Sequence, residues 1–230
     1  MRALKTLKAI RTERLGELRR EYETRLREAD EPDPRFTAEA NRTRREAARR
    51  EVQQEALEAL AALEEEAEAA ITRVRSISQQ QSPLSASDAL LAETRQARAW
   101  DRVRPMLEAN RSVQDLVRGA DLDTLQALRA ELPAFLSARV QKPQGLDALG
   151  WTEPDTDRAL RLVDQAMVPL LPSGPASWKQ AGLDLAAMEP GLRLSLQGFR
   201  EEVTTPGSGR GLENAIAVRL ADQEAGEAAA

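Results

Sequence analysis

The side chains able to do chemistry form an unusual set: 38 carboxylates, 29 arginines and four lysines among 230 residues, with no histidine and no cysteine. Imidazole and thiolate carry most general-base, covalent and transition-metal chemistry near neutral pH, so whole classes of site disappear with them. Disulfides, zinc or iron–sulfur centres held by Cys or His, Ser-His-Asp triads and Cys nucleophiles are excluded. What remains is proton transfer by carboxylates, amine chemistry by lysine and oxygen ligation of a hard cation.

Several segments have spacings that could serve such chemistry, and each has a plainer use. Pro206-Gly-Ser-Gly-Arg-Gly211 brings glycines close enough to aim backbone amides at a phosphate. It lacks the Gly-Lys-Ser/Thr ending of a phosphate loop and any preceding apolar strand, and reads as a linker. Glu153 with Asp155 and Asp157, and Asp121 with Asp123, are spaced like oxygen ligands, but no complete calcium loop surrounds them. Acidic residues also complement the start of a helix, which is the reading adopted for both groups. Ser177-Trp178-Lys179 sets a hydroxyl near an amine without a nucleophile elbow, and Ser177 reads as a helix cap. The sequence therefore predicts no catalytic residue, no cofactor, no metal site and no small-molecule substrate.

The elements that carry these residues are helices. There are 39 alanines and 31 leucines against ten valines and four isoleucines, so the apolar content favours helix over strand. The fold class expected is all-α. A long N-terminal helical hairpin of coiled-coil type should be followed by a multi-helix domain. Residues 1–80 form the hairpin, 81–87 a Ser/Gln linker, 88–203 the helical domain, 204–211 a second linker and 212–230 a short amphipathic helix with its tail. Leu192, Leu194 and Leu196 alternate as in a strand, but Leu192, Leu196 and Phe199 share a helical face and helix is preferred.

Within the hairpin, Leu4, Leu7, Leu15, Leu18, Tyr22, Leu26 and Ala29 trace one apolar face, with Arg11 on the skipped position. Asp30-Glu31-Pro32-Asp33-Pro34 ends that helix, because each proline removes a backbone donor and biases its predecessor out of the helical region. A second helix runs from a cap at Thr37 to about Gln80. A tight turn pairs positions whose numbers sum to about 65, so that Leu4 meets Leu60 and Leu18 meets Ala47. That register leaves Arg14, Arg19 and Arg20 facing Arg45, Arg49 and Arg50, its least comfortable feature. It also leaves the heptad stripe Leu60, Leu63, Ala67, Ala70, Val74 and Ile77 extending past the first helix, which implies self-association through these six residues.

Charge is patterned along the chain: residues 1–50 hold 15 basic and ten acidic side chains, residues 51–70 seven glutamates and no base. Arg42, Arg44, Arg45, Arg49 and Arg50 form the densest basic cluster and the candidate nucleic-acid contact, interrupted by Glu46 and Glu51. Leu212, Ile216 and Leu220 make a stripe at four-residue steps, the candidate docking helix for a protein partner. Neither a secretory leader nor a membrane span is recognisable, so a cytoplasmic or virion location and no membrane partner are expected.

In layout, an Arg/Glu/Ala-rich helical body with a tethered short C-terminal helix resembles the helical scaffolding and minor head proteins of tailed phages. That resemblance implies a coat-binding role for Leu212, Ile216 and Leu220. The tail departs from the usually basic coat-binding end, carrying Glu213, Asp222, Glu224 and Glu227 against Arg219. The expected function is thus a non-enzymatic structural or assembly protein that forms a homo-oligomer and engages a protein partner. The rivals are a nucleic-acid-associated protein using Arg42 to Arg50 and a bacterial cytosolic coiled-coil adaptor.

Overall fold

The computed structural model describes residues 2–78, 86–139, 155–205, 216–220 and 223, and every regular element among them is helical. The protein is all-α. Its elements are α1 (Arg2–Ala9), a π turn (Ile10–Arg14), α2 (Leu15–Asp30), α3 (Ala38–Ser78), α4 (Ala86–Glu108), α5 (Val113–Val117), α6 (Leu122–Arg139), α7 (Thr156–Met167), a 3-10 turn (Val168–Leu170) and α8 (Ser173–Thr204). They divide into two units, one of residues 1–76 with 184–230 and one of residues 77–183. Residues 184–203, grouped by sequence with the second domain, thus belong with the hairpin. The Ser/Gln linker lies largely outside the described residues.

In the first unit the apolar face of α1 and α2 is built from Leu4, Leu7, Ile10, Leu15 and Tyr22, all buried, while Leu18 is only half-buried. Ile10, absent from the expected stripe, is fully enclosed. The step from Ile10 to Leu15 is five residues, one more than an α-helix tolerates on a single face. The π turn accommodates it: the Leu15 amide donates to the Ile10 carbonyl, which widens one turn and returns both side chains to the core.

The hairpin register differs from the expected one. Arg14 pairs with Glu66 at 2.6 Å, Arg25 with Glu55, and Arg49 with Asp30 at 2.5 Å, so partners add to 80 or 79 instead of 65. The linker explains the shift. Asp33 is bonded to Asn41, eight residues before the Arg49 that meets Asp30. Three extended steps from Asp30 to Asp33 advance the chain by about 10 Å, as much as seven helical residues. The displaced register exchanges the Arg–Arg approach for Arg–Glu pairing and brings α1 alongside the end of α3.

The second half of α8 supplies the third helix of this unit. Glu189 meets Arg75 at 2.7 Å, Arg193 meets Glu68 at 2.6 Å, and Arg200 meets Glu64, so α8 runs antiparallel to α3. On α2, Arg19 pairs with Glu202 at 3.0 Å and the Tyr22 and Phe199 rings meet edge to face, centroids 5.9 Å apart. Phe199, Leu192 and Val203 are fully buried. The expectation of a helix at Leu192 to Phe199 holds within a longer one: α8 passes through Pro190, whose missing donor frees a carbonyl at Ala186, both residues on the exposed side.

The second unit packs α4 to α7 around Val103, Leu107, Leu116, Leu125, Leu128, Leu132, Val163 and Met167. Trp100 closes one side, edge to face with Phe135 at 5.7 Å between centroids. Pro105 sits inside α4, and two residues past the helix Asn110 adopts a left-handed conformation (φ 61°). Gly119 ends α5 at φ 78°, where a side chain would be strained.

The π turn makes a direct prediction. Deleting the exposed Glu13 turns the five-residue step into four, lets the helix run in α geometry and keeps Leu4, Leu7 and Ile10 on the core, so the thermal midpoint should be unchanged or higher. Inserting an alanine at the same point rotates that face a further 100° and should lower stability by several kcal/mol, roughly the burial of two or three large side chains. Urea unfolding of both variants checks it.

Candidate functional site

The third helix of the first unit ends at Thr204, which the α3–α8 ion pairs place near Leu60 of α3. Among the described residues of the first unit, the length from there to the turn is formed by two helices, the end of α2 and the first half of α3, called the arm below. Val52 and Ala56 are buried in it; Leu26, Ala29 and Leu57 are half-buried. Phe36, on the turn, is 51% exposed, with the Arg44 guanidinium 5.6 Å from its ring centroid.

The turn is held by a polar clamp that sequence reasoning missed. Asn41 is buried although polar: its Nδ2 donates to the carbonyls of Asp33 (2.9 Å) and Phe36 (3.1 Å), and its Oδ1 accepts from the Asp33 amide (3.0 Å). A side-chain amide is the one neutral group able to donate and accept in this way, and it stands in for a strand partner. The Asp33 carboxylate accepts from Arg35 through Nε (3.0 Å), Nη2 (2.8 Å) and the backbone amide (3.0 Å), and from Arg44 (3.1 Å). Those bonds hold its pKa down at about 2. Thr37 caps α3 as expected, accepting from the Ala40 amide at 3.3 Å. The sequence signal for the clamp is Asn41 on the inner face, eight residues after Asp33.

The five arginines of the candidate nucleic-acid cluster are gathered on this arm but do not form one open surface. Arg44 is engaged by Asp33, Arg49 by Asp30, and Arg45 donates to the Asn41 carbonyl at 3.2 Å. Among the described residues ion pairs engage Arg44 and Arg49 alone of the five, and residues 27–51 hold seven basic and seven acidic side chains. A polyanion would meet little net field.

The six residues expected at an oligomer seam lie elsewhere. Leu60, Leu63, Ala67, Ala70 and Val74 are buried within one chain, and Ile77 is half-buried. The shifted register brings α1 to this length of α3 and α8 covers its flank, so the stripe does not extend past the first helix. The inference of self-association from an unpaired stripe therefore loses its premise. On the tail, Ile216 and Leu220 are 51% and 54% exposed in a short helix, while Leu212 lies outside the described residues.

In the second unit Lys179 is the notable ionisable group. Its Nζ lies 3.0 Å from Asp164 Oδ1, the oxygen that Arg129 also contacts. Burial pushes the amine below its ordinary value, opposed by Asp164 and supported by Arg129. The arrangement ties α6, α7 and α8 together. Ser177 is inside α8 and not at its start, and its hydroxyl donates to the Gly174 carbonyl at 2.7 Å, not toward Lys179. Asp155 caps α7, accepting from the Arg158 amide at 2.7 Å, and Asp121 caps α6 through Thr124 at 2.8 Å. Glu153 and the Pro206–Gly211 segment lie outside the described residues, among which no group of three carboxylates could hold a metal ion. On α4, Leu90 and Leu91 are 65% and 56% exposed. No described helix is long and apolar enough to cross a membrane.

No protein-family model, curated protein or solved structure matches this chain.

The clamp is open to test. Asn41→Ala removes three hydrogen bonds at the turn and should lower unfolding stability by about 1–3 kcal/mol. Because folding depresses the Asp33 pKa, its contribution is complete above the unfolded value near 4 and is lost as pH falls toward 2. Asp33→Asn should flatten that part of the stability profile, read by urea titrations between pH 2 and 6.

Proposed function

We propose that this is a non-enzymatic assembly protein that self-associates, and engages protein partners, through helix-to-helix packing on the two-helix arm. One observation supports the reading above the others: the third helix stops at Thr204 while the hairpin runs on to its turn. A pair of helices cannot enclose its own apolar face as three can, and Leu26, Ala29 and Leu57 remain partly open. An added helix on the line of α8 would complete the cross-section. The large exposed Phe36 and the Arg-rich flank have the composition of contact anchors. Leu90 and Leu91 offer a second apolar contact in the other unit. In the reading suggested by layout, the larger body is a phage head or a comparable protein assembly.

Light scattering across a concentration series tests this. The full chain should exceed its 25.4 kDa monomer mass as concentration rises, and Leu26→Asp with Leu57→Asp should return it to monomer. A monomer at every concentration, for both the natural chain and a variant with Ile216→Asp and Leu220→Asp, would overturn it.

A further inference from the structure

We propose, resting on the reading of the arm as a helix-accepting surface, that its occupant is the arm of a second copy, laid antiparallel about a two-fold axis near residue 48 of α3.

The line on offer continues the one α8 already uses. From Glu64, which pairs with Arg200, steps of seven along α3 reach Leu57, Arg50 and Thr43, and the interleaved steps give Gln53, Glu46 and Glu39. Leu57 and Gln53 are half-buried and the other four are exposed. These six positions are symmetric about residue 48: 39 mirrors 57, 43 mirrors 53 and 46 mirrors 50. An antiparallel copy therefore sets Glu46 against Arg50 of the second copy, and Arg50 against its Glu46, while the Thr43 hydroxyl meets the Gln53 amide. Leu57 meets the first turn of the second α3, close to its exposed Phe36.

Balanced charge favours this occupant over others. With seven basic and seven acidic side chains over residues 27–51, a partner of one strong sign gains little, whereas an alternating line pairs with its own reversed image. A parallel copy in register sets Glu46 on Glu46 and Arg50 on Arg50, which repel. Length agrees too. In the antiparallel register Ala38 of the second copy lies opposite Glu58, so the added helix begins where α8 stops beside Leu60 and covers the line to the turn. A slide of one heptad toward α8 runs the second copy's turn into that helix, and a slide the other way leaves Leu57 uncovered.

The lack of cysteine makes the register readable by cross-linking on the full chain. Thr43→Cys mixed with Gln53→Cys, treated with a short bifunctional maleimide, should give cross-linked dimer. Either variant alone should give several-fold less, because like positions stand ten residues apart along the seam, about 15 Å. Charge reversal reads the pairing. Glu46→Arg and Arg50→Glu should each weaken dimerisation about tenfold, and an equimolar mixture of the two should restore it, since each supplies the sign the other lacks. Both residues are exposed, and circular dichroism checks that the fold is retained. Cross-linking as strong through Thr43→Cys alone, or dimers indifferent to both reversals, would overturn the antiparallel pairing and leave association through the arm standing. A chain that light scattering finds monomeric at every concentration overturns both.

Discussion

The register between α2 and α3 is the constraint on which the first unit depends, and a few extended residues impose it. Because an extended step advances the chain about twice as far as a helical one, Asp30 to Asp33 carries the turn well past the end of α2 before α3 begins. Asn41 then locks that excursion by pairing with the Asp33 backbone, and Asp33 in turn gathers Arg35 and Arg44. Everything downstream inherits the offset: Arg14 reaches Glu66, Arg25 reaches Glu55, and α1 lies beside the last turns of α3. The π turn at Ile10 keeps α1 in phase over that added reach.

This offset relocates the uncovered surface. In a symmetric hairpin the far end of α3 would be bare and its leucines would need a partner. With the offset, and with α8 laid along the flank, those leucines are enclosed and the near end becomes the thin part. Each large aliphatic side chain enclosed there contributes about 1.5–3 kcal/mol, so the three-helix section is the better insulated and the arm the less. The assembly reading follows the exposed length from one end of the hairpin to the other.

Arginine is used mainly as a tie. Arg49 bridges α2 to α3, Arg193 and Arg200 bridge α3 to α8, and Arg129 shares Asp164 with Lys179 in the other unit. Most of these pairs are solvent-exposed and individually worth little, yet they discriminate between registers because the wrong one sets like charges side by side. The same engagement removes Arg44 and Arg49 from the surface a nucleic acid could use.

Sequence alone determined the helical class, the hairpin, the cap at Thr37 and the helical state of Leu192 to Phe199, because composition, periodicity and capping are local properties. It also excluded the chemistry that needs histidine or cysteine. Register was beyond its reach for a physical reason: a slide of 15 residues is about four helical turns, so leucines still face leucines and the apolar pattern scores both alignments nearly alike. Only the packed molecule decided between them, through the extent of the Asp30 to Asp33 segment, the Asn41 clamp and the charge pairing. The five-residue step at Ile10 and the splitting of α8 between two units were likewise decided by tertiary packing, since neither leaves a mark on the local pattern.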